Sequence, residues 1–131
     1  MQIAYFVNSF NSINWGGQAT SNGIKYLIND FYPNATFVPL NMPQIPYKKV
    51  KFLRKIIENR LYKSLINDDY FNLIKNLKKF NINENFFDGF THICFNGEGA
   101  IHSKSGHLIV LMALLYLAKK KNLYVAAINQ T

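Results

Sequence analysis

The chain has 131 residues, of which 49% are hydrophobic and 17% are charged, and its formal net charge is +8. These values suit a folded protein with a real core and favour anionic partners. The single cysteine, Cys94, excludes an internal disulfide and a multi-cysteine zinc site. The longest apolar run, over 108–118, is too short to span a bilayer, which takes about 20 residues.

The first half of the chain is predicted to form a strand, a helix and a second strand. Residues 2–8 are a short apolar run that ends in polar turn formers, as a buried strand does. Residues 9–18 contain asparagines, serines and two glycines and predict a loop. Apolar residues at helical spacing predict a helix over 17–31, which Pro33 ends. Residues 35–40 have the β-branched and aromatic residues of a strand.

The second half is predicted to contain three helices and two strands. Residues 50–66 form an amphipathic helix whose outer face is basic, and a shorter helix over 69–80 begins at Asp68 or Asp69 as its N-cap. The remaining predictions are, in chain order, a turn region over 81–89, a strand over 90–96, a helix over 105–121 and a strand over 123–128.

This order of elements is typical of an α/β fold, here a Rossmann-like three-layer sandwich with a mostly parallel sheet. We expect the strand order second-first-third-fourth, so that the sheet reverses direction between the first and third strands. Ligands of such sheets bind at this switch point, outside the carboxyl ends of the strands. The last strand lacks a helix to cover it, so residues 1–131 are expected to be a single Rossmann-like domain that is a fragment of a longer protein or that needs a partner to complete it.

The first candidate site segment follows the first strand and contains Asn14, Gly16, Gly17 and Thr20. The glycines lack a Cβ atom, which lets a ligand approach the backbone, and Thr20 adds a hydroxyl group. The helix that starts here presents amide groups and a positive dipole end, which attract phosphate or carboxylate. A tight strand-to-helix turn without a ligand explains the same residues, and the sequence leaves both interpretations open.

The second candidate segment follows the third strand and contains Asn96, Gly97, Glu98, Gly99 and His102. A carboxylate between two glycines at a strand end suits a general base or a group that holds a sugar hydroxyl, so Glu98 is the candidate catalytic residue. The imidazole of His102 suits contact with a phosphate or substrate. An ordinary surface glutamate in a turn is the alternative. No metal site and no cofactor is expected.

The basic helix over 50–66 suggests contact with an anion. A solvated helix face is the simplest interpretation, and contact with a partner or an anionic membrane surface is the alternative. Nucleic acid is not expected as a partner, because the helix lacks the interleaved aromatic residues of a single-strand binding platform.

Three short motifs resemble the polysaccharide pyruvyl transferase family. The first is NWGGQAT (14–20), which is similar to the family's N-x-G-x-x-A-T turn. The second is NGEGAIH (96–102), which resembles its N-G-E-G-[ST]-[IL]-H segment, although Ala100 replaces the usual hydroxyl residue. The third is AKK (118–120) followed by VAAINQT (125–131), which resembles its A-K-K … V-x-x-x-N-x-T stretch.

The resemblance implies a transferase that moves pyruvyl from phosphoenolpyruvate to a sugar of a surface glycan such as a bacterial capsule. Its partners would be a glycan acceptor and an anionic, phosphorylated donor. The family resembles two-domain GT-B enzymes, and this chain matches the first domain, so the isolated chain is expected to be inactive. Such a protein would be cytoplasmic, at the inner face of the membrane. The alternative function is a stand-alone anion- or nucleotide-binding module, or a subunit that a partner chain completes.

Overall fold

The computed structural model describes residues 1–6, 15–41, 51–96 and 106–128. Within these ranges the chain forms four α-helices and four β-strands, and all four strands belong to one parallel sheet. The elements group into two compact units. The first unit holds the sheet and the helix that follows its first strand, and the second unit holds the other three helices. The α/β class predicted from the order of elements is confirmed.

The sheet consists of β1 (Gln2–Phe6), β2 (Thr36–Pro39), β3 (His92–Asn96) and β4 (Tyr124–Ile128). Their order across the sheet is β2-β1-β3-β4, as predicted. The register places Tyr5 of β1 beside Pro39 on one side and beside Cys94 on the other.

The two central strands owe their position to continuous apolar sequence. Every side chain from Ile3 to Phe6 is buried, and the same holds from Ile93 to Asn96. When both faces of a parallel sheet are covered, the residues of its strands are apolar throughout and do not alternate between apolar and polar. The edge strand β4 differs, because Tyr124 and Val125 are 73% and 42% exposed.

Helix α1 (Trp15–Phe31) packs on one face of the sheet. Its buried Ile24 joins Ile3, Tyr5 and Cys94 in one apolar cluster. The helix ends two residues before Pro33, as predicted, because proline disfavours a helical conformation in the residue before it. Its start at Trp15 lies earlier than the sequence predicted.

The second unit contains α2 (Lys51–Ile66), α3 (Tyr70–Leu77) and α4 (Gly106–Lys120), with a 3₁₀ turn, Lys78–Phe80, directly after α3. Helix α2 packs against both α3 and α4. Each helix contributes fully buried leucines to the interior, namely Leu61, Leu73, Leu77, Leu111, Leu114 and Leu117. No helix in the described ranges is both long enough and apolar enough to cross a membrane.

The N-cap of α3 is Asp69, one of the two predicted candidates. Its Oδ1 accepts the backbone N–H of Asn72 at 3.0 Å, and its Oδ2 accepts the side-chain amide of Asn72 at 2.6 Å. These hydrogen bonds lower the pKa of Asp69. Asp68 instead takes a left-handed φ of 50° and binds Tyr116 and Lys120 of α4.

The predicted turn region over 81–89 contains more structure than expected. A 3₁₀ helix, Glu84–Phe87, occupies its centre. Ile82 and Phe87 are almost completely buried, which anchors this polar stretch to the interior. Gly89 ends it with φ 86°, a conformation that side chains other than glycine rarely adopt.

Candidate functional site

The carboxyl edge of the sheet contains the switch point that the sequence predicted. Strand β1 ends at Phe6 and β3 ends at Asn96, and the two strands are direct neighbours. After β1 the chain passes through α1 to β2 on one side, whereas after β3 it continues to β4 on the other. The two candidate segments therefore follow adjacent strands in the sequence, and ligands of doubly wound sheets bind at the carboxyl ends of such strands.

The described part of the chain includes four of the predicted site residues: Gly16, Gly17, Thr20 and Asn96. The other predicted site residues lie outside the described residues, and they are Asn14, Gly97, Glu98, Gly99 and His102.

Gly16 and Gly17 lie in the first turn of α1, not in a loop before it. Among the described glycines only Gly89 has a positive φ, so the backbone conformation at 16 and 17 does not itself require glycine. The prediction of a glycine turn is corrected here, because the helix extends to Trp15. The first-turn amides of a helix point outward along its axis, and its dipole favours an anion there.

Thr20 directs its hydroxyl group into the helix. Its Oγ1 donates a hydrogen bond to the carbonyl oxygen of Gly16 at 3.0 Å. This is the i to i−4 bond that helical threonines commonly make. To donate to a ligand, as the sequence suggested, the Thr20 hydroxyl would have to give up this bond.

Two buried polar residues, Tyr5 of β1 and Ser21 of α1, lie where the helix packs on the sheet. Both side chains are completely buried, and the ring of Tyr5 lies 4.8 Å from that of Phe37. Burial raises the pKa of Tyr5, and the neighbouring Ser21 hydroxyl partly opposes this shift. The sequence analysis missed this pair. The only feature of the sequence that indicates the pair is the position of Ser21, one helical turn before Ile24 and therefore on the face that packs on the sheet.

Asn96 is a buried amide at the end of β3, only 4% exposed. It stands beside Ile128 in the register of β3 and β4. A buried amide is almost always held by hydrogen bonds, which fixes its direction. Asn96 thus gives the carboxyl edge of the sheet a polar group of defined orientation at the switch point.

A separate apolar cavity of about 340 Å³ opens on the sheet face between α1 and β4. His92 forms one wall, where its ring stacks on Tyr124 at 5.0 Å, while its Nδ1 lies 2.8 Å from Thr91 Oγ1. Cys94 lies in the same cavity, and burial raises the pKa of its thiol to about 12. A thiol with this pKa is a poor nucleophile, so Cys94 serves as a small buried apolar side chain.

Comparisons with protein-family models, with curated proteins and with solved structures find no match to this chain. The described residues also contain no group of three or more histidine, cysteine, aspartate or glutamate side chains that could hold a metal ion.

Proposed function

We propose that this chain is the N-terminal, Rossmann-like half of a glycan-modifying transferase of the polysaccharide pyruvyl transferase type. The observation that carries the proposal is the strand order. Because β1 and β3 are neighbours, the motif over 14–20 comes after one of these strands in the sequence and the motif over 96–102 begins at the last residue of the other. The parallel sheet agrees with the core expected for one half of a GT-B-like enzyme.

The chemistry of the proposed donor suits these groups. Phosphoenolpyruvate carries a carboxylate and a phosphate, and the positive dipole at the N-terminal end of α1 favours such anions. Glycine at 16 and 17 allows close approach to that backbone. Glu98 would accept the proton of the sugar hydroxyl or hold that hydroxyl in place. A second Rossmann-like half would supply the basic and histidine residues for the phosphorylated donor.

The test uses the native polypeptide, meaning the proposed longer protein that begins with this chain. It measures phosphate release from phosphoenolpyruvate in the presence of the surface glycan. The variant is Glu98→Gln, which keeps the size of the side chain but removes the base. We expect its kcat to fall by about 100-fold or more, the range that general acid–base catalysis typically supplies. Glu84→Gln is the matched control, because Glu84 is an exposed residue of the 3₁₀ helix in the second unit. It should retain full activity.

Wild-type turnover by the Glu98→Gln variant would eliminate the role of Glu98. The 131-residue chain on its own is expected to show no turnover. Turnover by that chain alone would refute the proposal that it forms one half of the active site.

The exposed edge of the sheet favours the second candidate function, a binding subunit that a partner chain completes. Tyr124 and Val125 of β4 remain exposed beside the apolar cavity, an arrangement that complete sheets usually cover. Co-purification from the native cells, followed by light scattering and the phosphate-release assay, separates the two functions. A stable complex with another chain and no transferase activity would favour the subunit, whereas phosphate release by the proposed longer two-domain protein without a partner chain would favour the transferase.

The exposed face of α2 supports the proposal of a membrane-face location. Phe52, Tyr62 and Ile66 are 72%, 54% and 64% exposed and share one helical face with the exposed Lys55. Such a face suits the interface of an anionic membrane. Replacement of Phe52 and Ile66 by serine should reduce sedimentation with phosphatidylserine vesicles, and unchanged sedimentation would exclude this contact.

A further inference from the structure

The second unit contains a polar cleft of about 480 Å³ between α2 and α3. All of its lining residues are charged or polar, and none is apolar or aromatic: Arg60, Lys63, Ser64, Asn67, Asp69, Asn72, Lys75, Asn76 and Lys79. The cleft lies wholly within this unit and shares no residue with the site proposed at the sheet edge.

The lining residues repeat one spacing on both helices. On α2 and its immediate extension they occupy positions 60, 63, 64 and 67, and on α3 and its extension positions 72, 75, 76 and 79. Residues at i, i+3, i+4 and i+7 share one face of a helix. Two polar helix faces thus meet along the cleft, although packed helices more commonly face each other with apolar residues.

The floor of the cleft contains two buried polar side chains. Ser64 and Asn76 are 5% and 6% exposed. Ser64 Oγ donates to the carbonyl oxygen of Arg60 at 2.9 Å, and Asn76 Nδ2 donates to that of Asn72 at 2.7 Å. An amide nitrogen carries two hydrogens, so Asn76 retains one for a ligand.

The charges around the cleft are strongly unbalanced. Arg60, Lys63, Lys75 and Lys79 provide four cations, against the single carboxylate of Asp69. None of the ion pairs in the described part of the chain engages these four cations. The carboxylate of Asp69 accepts two hydrogen bonds as the N-cap of α3. Cations gathered around a concave surface focus a positive potential into it.

We propose that this cleft binds a small hydrophilic ligand that carries two or more phosphate groups. Its volume lies within the about 300 to 1,000 Å³ of small-molecule sites. Arginine and lysine side chains on both helices can contact separate phosphates, with arginine bound in a bidentate manner. The lack of aromatic lining residues argues against a stacked nucleobase, so recognition would fall on the phosphates and on any sugar hydroxyls.

A small ligand fits the cleft better than a membrane surface does. The lining cations surround a concave space with buried polar groups at its floor, whereas a flat bilayer would contact only the rim. The apolar residues expected to enter a membrane, Phe52 and Ile66, do not line the cleft. The membrane is therefore an alternative outcome of the test.

The test is calorimetric titration of the native polypeptide with tripolyphosphate at physiological ionic strength, with orthophosphate as the probe of lower charge. The cleft variant is Lys63→Gln with Lys75→Gln, which removes one exposed cation from each helix. The matched control is Lys25→Gln with Lys119→Gln, which removes the same charge from exposed positions outside the cleft. Thermal unfolding checks that both variants keep the native fold.

We expect tripolyphosphate to bind more tightly than orthophosphate, and the cleft variant to lose about tenfold or more in affinity because it loses charge-assisted hydrogen bonds. The control variant should stay within about twofold of the native protein, since distant exposed charges are largely screened. Equal losses of affinity in the cleft and control variants would overturn the proposal, because binding would then depend only on the net charge of the protein. The absence of tripolyphosphate binding would also overturn the proposal. If phosphatidylserine vesicles bound and tripolyphosphate did not, the cations of the cleft would contact a membrane surface.

Discussion

Alkylation of Cys94 provides a direct chemical test of the strand order. The thiol lies at the middle of β3, between Tyr5 of β1 and Ala126 of β4, and is only 3% exposed. Burial raises its pKa from 9.0 to about 12. Because the thiolate is the reactive form, a shift of this size lowers the reactive fraction at about pH 8 by roughly 1,000-fold. Limited access to the buried sulfur slows the reaction further.

The assay compares the rate of iodoacetamide labelling in the native state with the rate in guanidinium chloride. A matched control moves the thiol one strand outward, in the double variant Cys94→Ala with Ala126→Cys. Position 126 shares the register of Cys94 on the neighbouring strand but is exposed. We expect the native Cys94 to react at least about 1,000-fold more slowly than the unfolded protein, and the thiol at 126 to react at close to the unfolded rate. Equal native rates at the two positions would show that β3 is not an interior strand.

Three further predictions concern stability. Leu61→Ala should lower the free energy of unfolding by about 2 to 5 kcal/mol, because it leaves a cavity at a fully buried site. Leu53→Ala, at a position 44% exposed on the same helix, should lower it far less. Equal urea midpoints for the two variants would refute this prediction. Tyr116→Phe removes the donor that does most to lower the pKa of Asp68. A carboxylate with a lowered pKa stabilises the fold above its unfolded pKa and loses that contribution as the pH falls through its folded pKa. The variant should therefore be destabilised at neutral pH and match the native protein in acid, and a loss independent of pH would contradict the assignment. Gly17→Ala should raise the thermal midpoint, because alanine in a helix increases the free energy of unfolding by up to about 1 kcal/mol relative to glycine. If a ligand approaches the backbone at Gly17, the same variant should lower transferase activity. A loss of stability would contradict the helical conformation of Gly17.

The sheet could be predicted because its physical signals are local. The apolar runs over 2–8 and 90–96 correspond to β1 and β3, and the helices between them dictate parallel strands. The prediction was less accurate where local composition conflicted with tertiary structure. Two adjacent glycines suggested a loop, yet α1 includes both. The polar stretch over 81–89 suggested a turn, yet Ile82 and Phe87 bind it to the interior.

The candidate site could be predicted only as a position in the fold. Strand order placed both motifs at one edge, but the partners of individual side chains depend on packing that no local pattern encodes. The buried contact of Tyr5 with Ser21 is one example. The cleft in the second unit is another, since the basic face predicted on α2 was interpreted as solvated. Each helix shows its own polar face in the sequence, but the sequence does not show that the faces bearing Lys63 and Lys75 meet.

We propose that the carboxyl edge of the sheet at the β1–β3 switch point belongs to an enzyme that adds pyruvyl groups to a surface glycan. The most direct measurement is the pyruvate content of that glycan in cells that lack the gene, compared with cells complemented by the native gene or by its Glu98→Gln variant. Deletion is expected to remove the pyruvate, the native gene to restore it, and the variant to leave it absent. An unchanged pyruvate content in the deletion strain would rule out the proposed transferase.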